Sequence, residues 1–245
     1  MTMKKIFLYT LSLFVLLINH ACNPAECLKR TGEIVKEERT VSDFTSILIS
    51  DNIEVILRND TIRTITVEAG KNLISSVKTE VKGSILKVTN ENTCDWSRSY
   101  NTPVKMSIGA KFVQNIEHFG FSKLHTTETL EVNDLNILCK NSGDIDLKIQ
   151  ANRINLFTSS TSYIHLEGSS STAFLHTNGM GEIFAEKLRV EKLDVLHENI
   201  NNMHVFPVKS LNVTFNPQNQ GNVFYYNEPE NIQVGGTGIG KVIKK

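Results

Sequence analysis

The chain has 245 residues, 40% of them hydrophobic, and sets 26 basic residues against 26 acidic ones. This suits one large globular domain or two small ones with a closed core. Zero formal charge removes any general pull toward phosphate backbones, so nucleic acid is excluded as a partner class.

Lys4 and Lys5 precede a 13-residue apolar run from Ile6 to Ile18, and Asn19-His20-Ala21-Cys22 follows at once. That is the order of a signal peptide, and the run is shorter than the ~20 residues a helix needs to span a bilayer. Residues 1–21 are therefore expected to be removed. A small residue followed by cysteine at this point resembles the lipobox of bacterial lipoproteins, with Cys22 as the acylated residue. Asn19 stands where that motif usually has an aliphatic side chain, and the alternative is plain secretion with Cys22 a thiol. The acylated form predicts an exported protein tied to the membrane through its N-terminal lipid, at the outer membrane and facing the cell surface or the periplasm. Residues 22–33, polar and containing Pro24 and Gly32, read as the tether.

Three further cysteines follow. Cys139 alternates with Leu135 and Ile137 in a strand pattern and reads as a small core residue. Cys27 and Cys94 are then expected to form a disulfide in an exported protein. Closing so long a loop stabilises by about 3–4 kcal/mol. A metal pair is the weaker alternative, because no CxxC or clustered His-Cys spacing accompanies them.

From residue 34 to 103 short β-branched runs alternate: Phe44, Ile47 and Ile49, then Ile53, Val55 and Leu57, then Ile62, Ile65 and Val67, separated by Asp51-Asn52 and Asn59-Asp60. One helical turn is expected within 72–77. The portion is β-rich but shows no period.

From Val104 the chain can be written as seven units of 19–21 residues: 104–122, 123–143, 144–162, 163–181, 182–201, 202–221 and 222–240. A fixed period of this size calls for a repeat architecture. The second position reads Leu124, Ile145, Ile164, Ile183, Met203 and Val223, and the fourth Thr126, Leu147, Leu166, Ala185, Val205 and Tyr225. A second apolar pair recurs about ten residues on, from Leu135 with Ile137 to Ile232 with Val234. Two inward strands per coil are predicted, and the first unit fits the columns poorly. Gly143, Gly181, Gly221 and Gly240 close units where Ser162 and Asn201 stand in others, and are expected to serve the backbone angles of tight corners. One coil buries about four aliphatic side chains at ~1.5–3 kcal/mol each, while ordering each of its residues costs ~1–2 kcal/mol. A lone coil cannot stand, and a stack can. The period is too long and variable for hexapeptide helices, and leucine-rich repeats would need a helical half and an asparagine column, which is absent from the aligned units. The prediction is an all-β parallel β-solenoid over 104–245 with a β-rich lead-in, 34–245 being one continuous domain.

Cys27-Leu-Lys-Arg-Thr-Gly32, Val67-Glu-Ala-Gly-Lys-Asn72, the loop Asn92-Thr-Cys-Asp-Trp-Ser-Arg-Ser-Tyr100 and the triplets Asn141-Ser-Gly143, Gly179-Met-Gly181 and Gly238-Ile-Gly240 resemble the auto-transporter adhesin head, or GIN, domain family of exported lipoproteins from Gram-negative bacteria. Phe119-Gly-Phe121, Ser160-Thr-Ser162 and Asn199-Ile-Asn201 depart from the family's Gly-rich triplet. The resemblance implies a right-handed parallel β-helix without the catalytic residues of pectate-lyase-like folds, and a role in adhesion.

The third position of the units reads His125, Asp146, His165, Phe184, His204 and Phe224, an outward ladder. Parallel side chains about 4.8 Å apart do not converge as zinc ligands must, so a solvated or partner-facing ladder is expected and neither metal nor cofactor. Asp144 and Asp146 are the only closely spaced outward carboxylates, with no basic residue expected beside them, and a β-helix lyase or hydrolase needs such a pair in one groove with a base. Gly235-Gly-Thr-Gly-Ile-Gly-Lys241 has P-loop spacing but lacks the following Ser or Thr and a helix.

Two places hold functional interest. Trp96, Arg98 and Tyr100 crowd one loop, as recognition residues do, or else pack over an end or side of the rod. Leu138, Phe157, His176, Leu196 and Thr214 form an apolar stripe that either faces outward as an interface or turns in at a corner. The functional prediction is a non-enzymatic envelope module presenting its surface to a host or envelope protein or glycan. Its rivals are a carbohydrate-active enzyme on the same scaffold, and a structural envelope protein that self-associates as a homo-oligomer.

Overall fold

Alternation at period two, carried through short β-branched runs, builds strands and leaves no helix but one 3-10 turn at Ile74–Ser76 among the described residues. The structure, a computed structural model, describes residues 30–92, 104–140 and 142–245. Cys22, Cys27, Cys94, Trp96, Arg98 and Tyr100, on which the expected lipid anchor, disulfide and aromatic loop rest, lie outside the described residues.

The strands join one continuous sheet that winds into a parallel β-solenoid. Its regular part comprises β8 (Asn115–His118), β9 (Leu124–Thr126), β10 (Leu130–Cys139), β11 (Ile145–Thr158), β12 (Tyr163–Thr177), β13 (Glu182–His197), β14 (Met203–Phe215), β15 (Val223–Tyr225), β16 (Asn231–Gly236) and β17 (Val242–Lys244). The unit alignment matches the strand register: Ile145 pairs with Ile164, Ile164 with Ile183, Ile183 with Met203 and Met203 with Val223. These residues are all buried, as are the fourth-position residues from Thr126 to Tyr225.

Three expectations about the coil need correction. The two inward pairs of a unit are not on separate strands in β11 to β13; each is one strand of 14 to 16 residues that pairs with its neighbour along nearly its whole length. A further buried run, Leu130, Ile149 and Leu188, with Gly168 in the same column, lies between the two pairs. It escaped the columns because Gly168 interrupts it. The last coil also departs from its pattern, since Ile232 is 37% and Val234 56% exposed although they pair with Leu211 and Val213. Within the described residues no further strand covers that side of β16, so the same apolar code meets solvent there.

The corner glycines have a different cause from the one expected. None of Gly143, Gly181, Gly221 and Gly240 has a positive φ. A Cβ on Gly181 would sit 2.0 Å from the carbonyl oxygen of Ser162, and one on Gly221 1.8 Å from that of Asn201. Stacked corners approach too closely for a side chain.

The first unit does not form a coil. β7 (Val104–Gly109) pairs with β3 (Ile53–Arg58), whereas β8 stacks between β2 (Ser46–Ile49) and β10. Residues 46–58 thus form a coil inserted between β8–β9 on one side and β6 (Ile85–Asn90) with β7 on the other. This coil order differs from chain order. The end is then closed by antiparallel strands: β5 (Val77–Lys82) on β6, and β4 (Thr64–Gly70) on β7 with β1 (Ile34–Thr40) outside it. Antiparallel strands carrying Lys36, Glu37, Glu38, Lys78, Glu80 and Lys82 cover an edge that would otherwise recruit other strands. A single apolar core runs from Phe44 to Tyr225.

One corner of the rod is polar inside. Thr158 Oγ1 lies 2.8 Å from Ser160 Oγ, Asn199 Nδ2 donates to Thr177 Oγ1 and to the Gly181 carbonyl, and Asn219 Nδ2 donates to the Asn199 carbonyl and lies 2.6 Å from His197 Nδ1. Cys139 belongs to this stack and is a buried free thiol, as its strand pattern predicts.

Candidate functional site

Side chains that leave the core on one face of the rod form two parallel columns. Through the register of consecutive strands, the first runs Ile85, Ser46, Asn115, Asn136, Asn155, Phe174, Asp194 and Asn212. The second runs Lys87, Leu48, Glu117, Leu138, Phe157, His176, Leu196 and Thr214. The apolar stripe of the sequence therefore faces outward: Leu138, Phe157 and Leu196 are half-buried, while Ile137 and Leu156 alternate inward.

The first column contains an amide ladder. Asn115 Nδ2 donates to Ser46 Oγ at 3.1 Å, Asn136 Nδ2 to Asn115 Oδ1 at 3.0 Å, and Asn155 Nδ2 to Asn136 Oδ1 at 2.8 Å. An asparagine column therefore exists, contrary to the reading of the units, but it faces out. The aligned units hid it because Asn115 lies in the first, misfitting unit and Phe174 and Asp194 break the run. The two columns together line an open trough of about 340 Å³ from Ser46 and Ile85 to Phe157 and Phe174. Phe174 is 39% exposed and makes a tilted ring contact with His176, whereas Phe157 meets His176 edge-on at 4.7 Å.

The third-position ladder lies on another side and is built differently. Its order His125, Asp146, His165, Phe184, His204, Phe224 is the register order. His165 stacks on Phe184 at 4.7 Å with planes 9° apart, and Phe184 on His204 at 5.2 Å and 13°. Because the rings cover one another's faces, only edges point to solvent. The ladder is a cross-strand stabiliser. His125 turns to Glu54 at 3.1 Å, so His125, Asp146 and His165 do not converge on a point.

The carboxylates also differ from expectation. Lys123 Nζ stands 2.9 Å from Asp146, so a basic residue does flank the pair, and that hydrogen bond holds the Asp146 carboxyl below the usual carboxylate range. Asp144 Oδ1 accepts the Tyr163 backbone N–H. A carboxyl tuned downward by a lysine is the opposite of a general acid, whose pKa must be raised. Gly235 and Gly236 end β16 on the exposed coil, with no helix to cradle a phosphate.

A parallel β-solenoid with a capped end and a solvent-facing ladder trough defines a class of all-β repeat domains. Comparison with known families places the chain within it: residues 43–229 match the model described as "Putative auto-transporter adhesin, head GIN domain", and the chain belongs to that family. Among solved structures, a "putative adhesin" from Bacteroides fragilis is similar at 18% identity and a TM-score of 0.76, covering 87% of this chain and 97% of that one. A "putative adhesin" from Parabacteroides distasonis is similar at 18% identity and 0.67, covering 87% and 98%. A "putative lipid binding protein" from the same species follows at 20% and 0.60, covering 86% and 97%. These likenesses establish the shared fold. None of the curated proteins compared with the chain matches it.

Proposed function

We propose that the protein is a non-enzymatic, adhesin-like envelope module, anchored through a lipid on Cys22, that binds a glycan or protein through the trough face. The observation that carries this reading is the outward row Leu138, Phe157, His176 and Leu196, in register over four consecutive strands beside exposed Phe174. Strips of that kind on a soluble face serve contacts. The Lys123 hydrogen bond that holds the Asp146 carboxyl low is the opposite of what a general acid needs, which weighs against the enzymatic rival. A cell-surface or exported setting fits the family, and the sequence around Ala21-Cys22 supplies the anchor.

The test uses bacteria producing the full-length protein, scored for retention on surfaces coated with mucin and with envelope extracts. Phe157→Lys is expected to cut retention at least fivefold with surface levels unchanged, and Cys22→Ala to release the protein into the soluble fraction. Retention unaffected by Phe157→Lys would sink the assignment of this face.

A further inference from the structure

We infer that the trough takes an uncharged, unbranched saccharide chain laid along the rod axis, its hydroxyls on the asparagine ladder and one ring against Phe174; this rests on the trough being the binding face.

The ladder has a polarity. Every amide donates toward the Ser46 end, so Asn136 spends both N–H groups, on Asn115 Oδ1 and on the Gln114 carbonyl. Asn155 closes the run: its Nδ2 gives one hydrogen to Asn136, and among the described residues no group takes its second N–H or approaches its Oδ1. A fourth asparagine would have continued the ladder, but Phe174 occupies that place. The result is an amide with one donor and one or two acceptor sites to spare, flanked by the rings of Phe157 and Phe174 inside one trough. Among the described residues Phe174 has no stacked neighbour, unlike Phe184 and His204 on the other side.

The occupant follows by elimination on chemistry. An acyl chain would strip water from the amides and leave their N–H and C=O groups unpaired, which is unfavourable. A polyanion meets a carboxylate rather than a cation, since among the described residues lining the trough Glu117 is the charged one and Lys87 stands beyond its end. An extended peptide repeats same-face side chains every ~6.6–6.8 Å, out of step with rungs spaced about 4.8 Å, and this is a sheet face, where strand addition has no edge to use. A saccharide chain brings hydroxyl donors and acceptors, and an apolar ring face, at a step close to one rung. From Ser46 to Phe174 the face spans four strand spacings, roughly 19 Å.

The experiment titrates the full-length protein in detergent with neutral oligosaccharides of two to eight units, β-linked glucans, mannans and xylans, by calorimetry. Affinity is expected to rise with length and level off once the chain spans Ser46 to Phe174. Asn155→Leu and Phe174→Ala should each weaken binding at least tenfold, with melting temperatures within a few degrees of the parent because both side chains face solvent. No binding by any of the oligosaccharides, or binding unchanged in both variants, overturns the inference. If that happens while Phe157→Lys still abolishes cell retention, the binding face stands and its occupant is not a neutral saccharide. If Phe157→Lys leaves retention intact, the functional reading itself has failed.

Discussion

At a stacked corner a glycine is held by the backbone of the neighbouring coil, which leaves no room for a Cβ. A sequence shows that Gly181 and Gly221 close units, and both a left-handed φ and a close approach would explain that. The stacked Ser162 and Asn201 carbonyls decide for close approach. Gly168 combines both constraints. Its φ is +117°, and a Cβ there would lie 2.0 Å from the Ile149 carbonyl oxygen, yet it hides in the middle of β12 with no turn signal around it. Gly168→Ala is expected to cost on the order of 2–4 kcal/mol, through backbone strain and displaced stacking. Gly235 has nothing within 4 Å of its added Cβ and an ordinary φ. Gly235→Ala should stay within about 0.5 kcal/mol. Urea midpoints of the two variants check the contrast, and equal midpoints would refute it.

For strands, inward columns were readable because alternation forces every second side chain to one face. The column says which way a residue points, not whether a further coil covers it. Val213 and Val234 occupy the same column one rung apart, and their exposures are 2% and 56%. Val213→Ala should therefore destabilise by about 2 kcal/mol, from lost transfer energy and the cavity left behind, and Val234→Ala by a small fraction of that. Chemical denaturation of both variants measures the difference. The trough was half legible for a similar reason. Phe157 stood in an apolar stripe whose direction the sequence left open, and the asparagine ladder beside it was interrupted by Phe174 and Asp194 and began in a unit that misaligned. The coil of residues 46–58 could not be read at all, since its neighbours β6 and β8 come from distant parts of the chain and no local period joins them.

Across the whole molecule, the stack places two histidines where water does not reach. His118 and His197 share one column with Cys139, Thr158, Thr177 and Phe215, and both are fully buried. His197 Nδ1 accepts from the Asn199 N–H and faces Asn219 Nδ2, so protonating it would set donor against donor. Burial pushes each imidazole down from 6.5 to about 4, opposed at His118 only by the Ser122 backbone. In the unfolded chain both take up a proton near pH 6.5, while the folded chain resists until about pH 4. Between those values the unfolded state binds more protons, so stability is full above pH 6.5 and drains as the pH falls toward 4. The loss approaches about 3 kcal/mol per histidine, a large share of the 5–15 kcal/mol typical of a domain. Asp146, held low by Lys123, keeps its contribution through this window and loses it only at still lower pH. His118→Cys with His197→Thr installs residues that the same column already holds at 139 and 177. The double variant should lose most of the stability change between pH 7 and pH 4.5, read from urea midpoints at each pH. If parent and variant soften equally over that range, the acid response arises elsewhere in the rod.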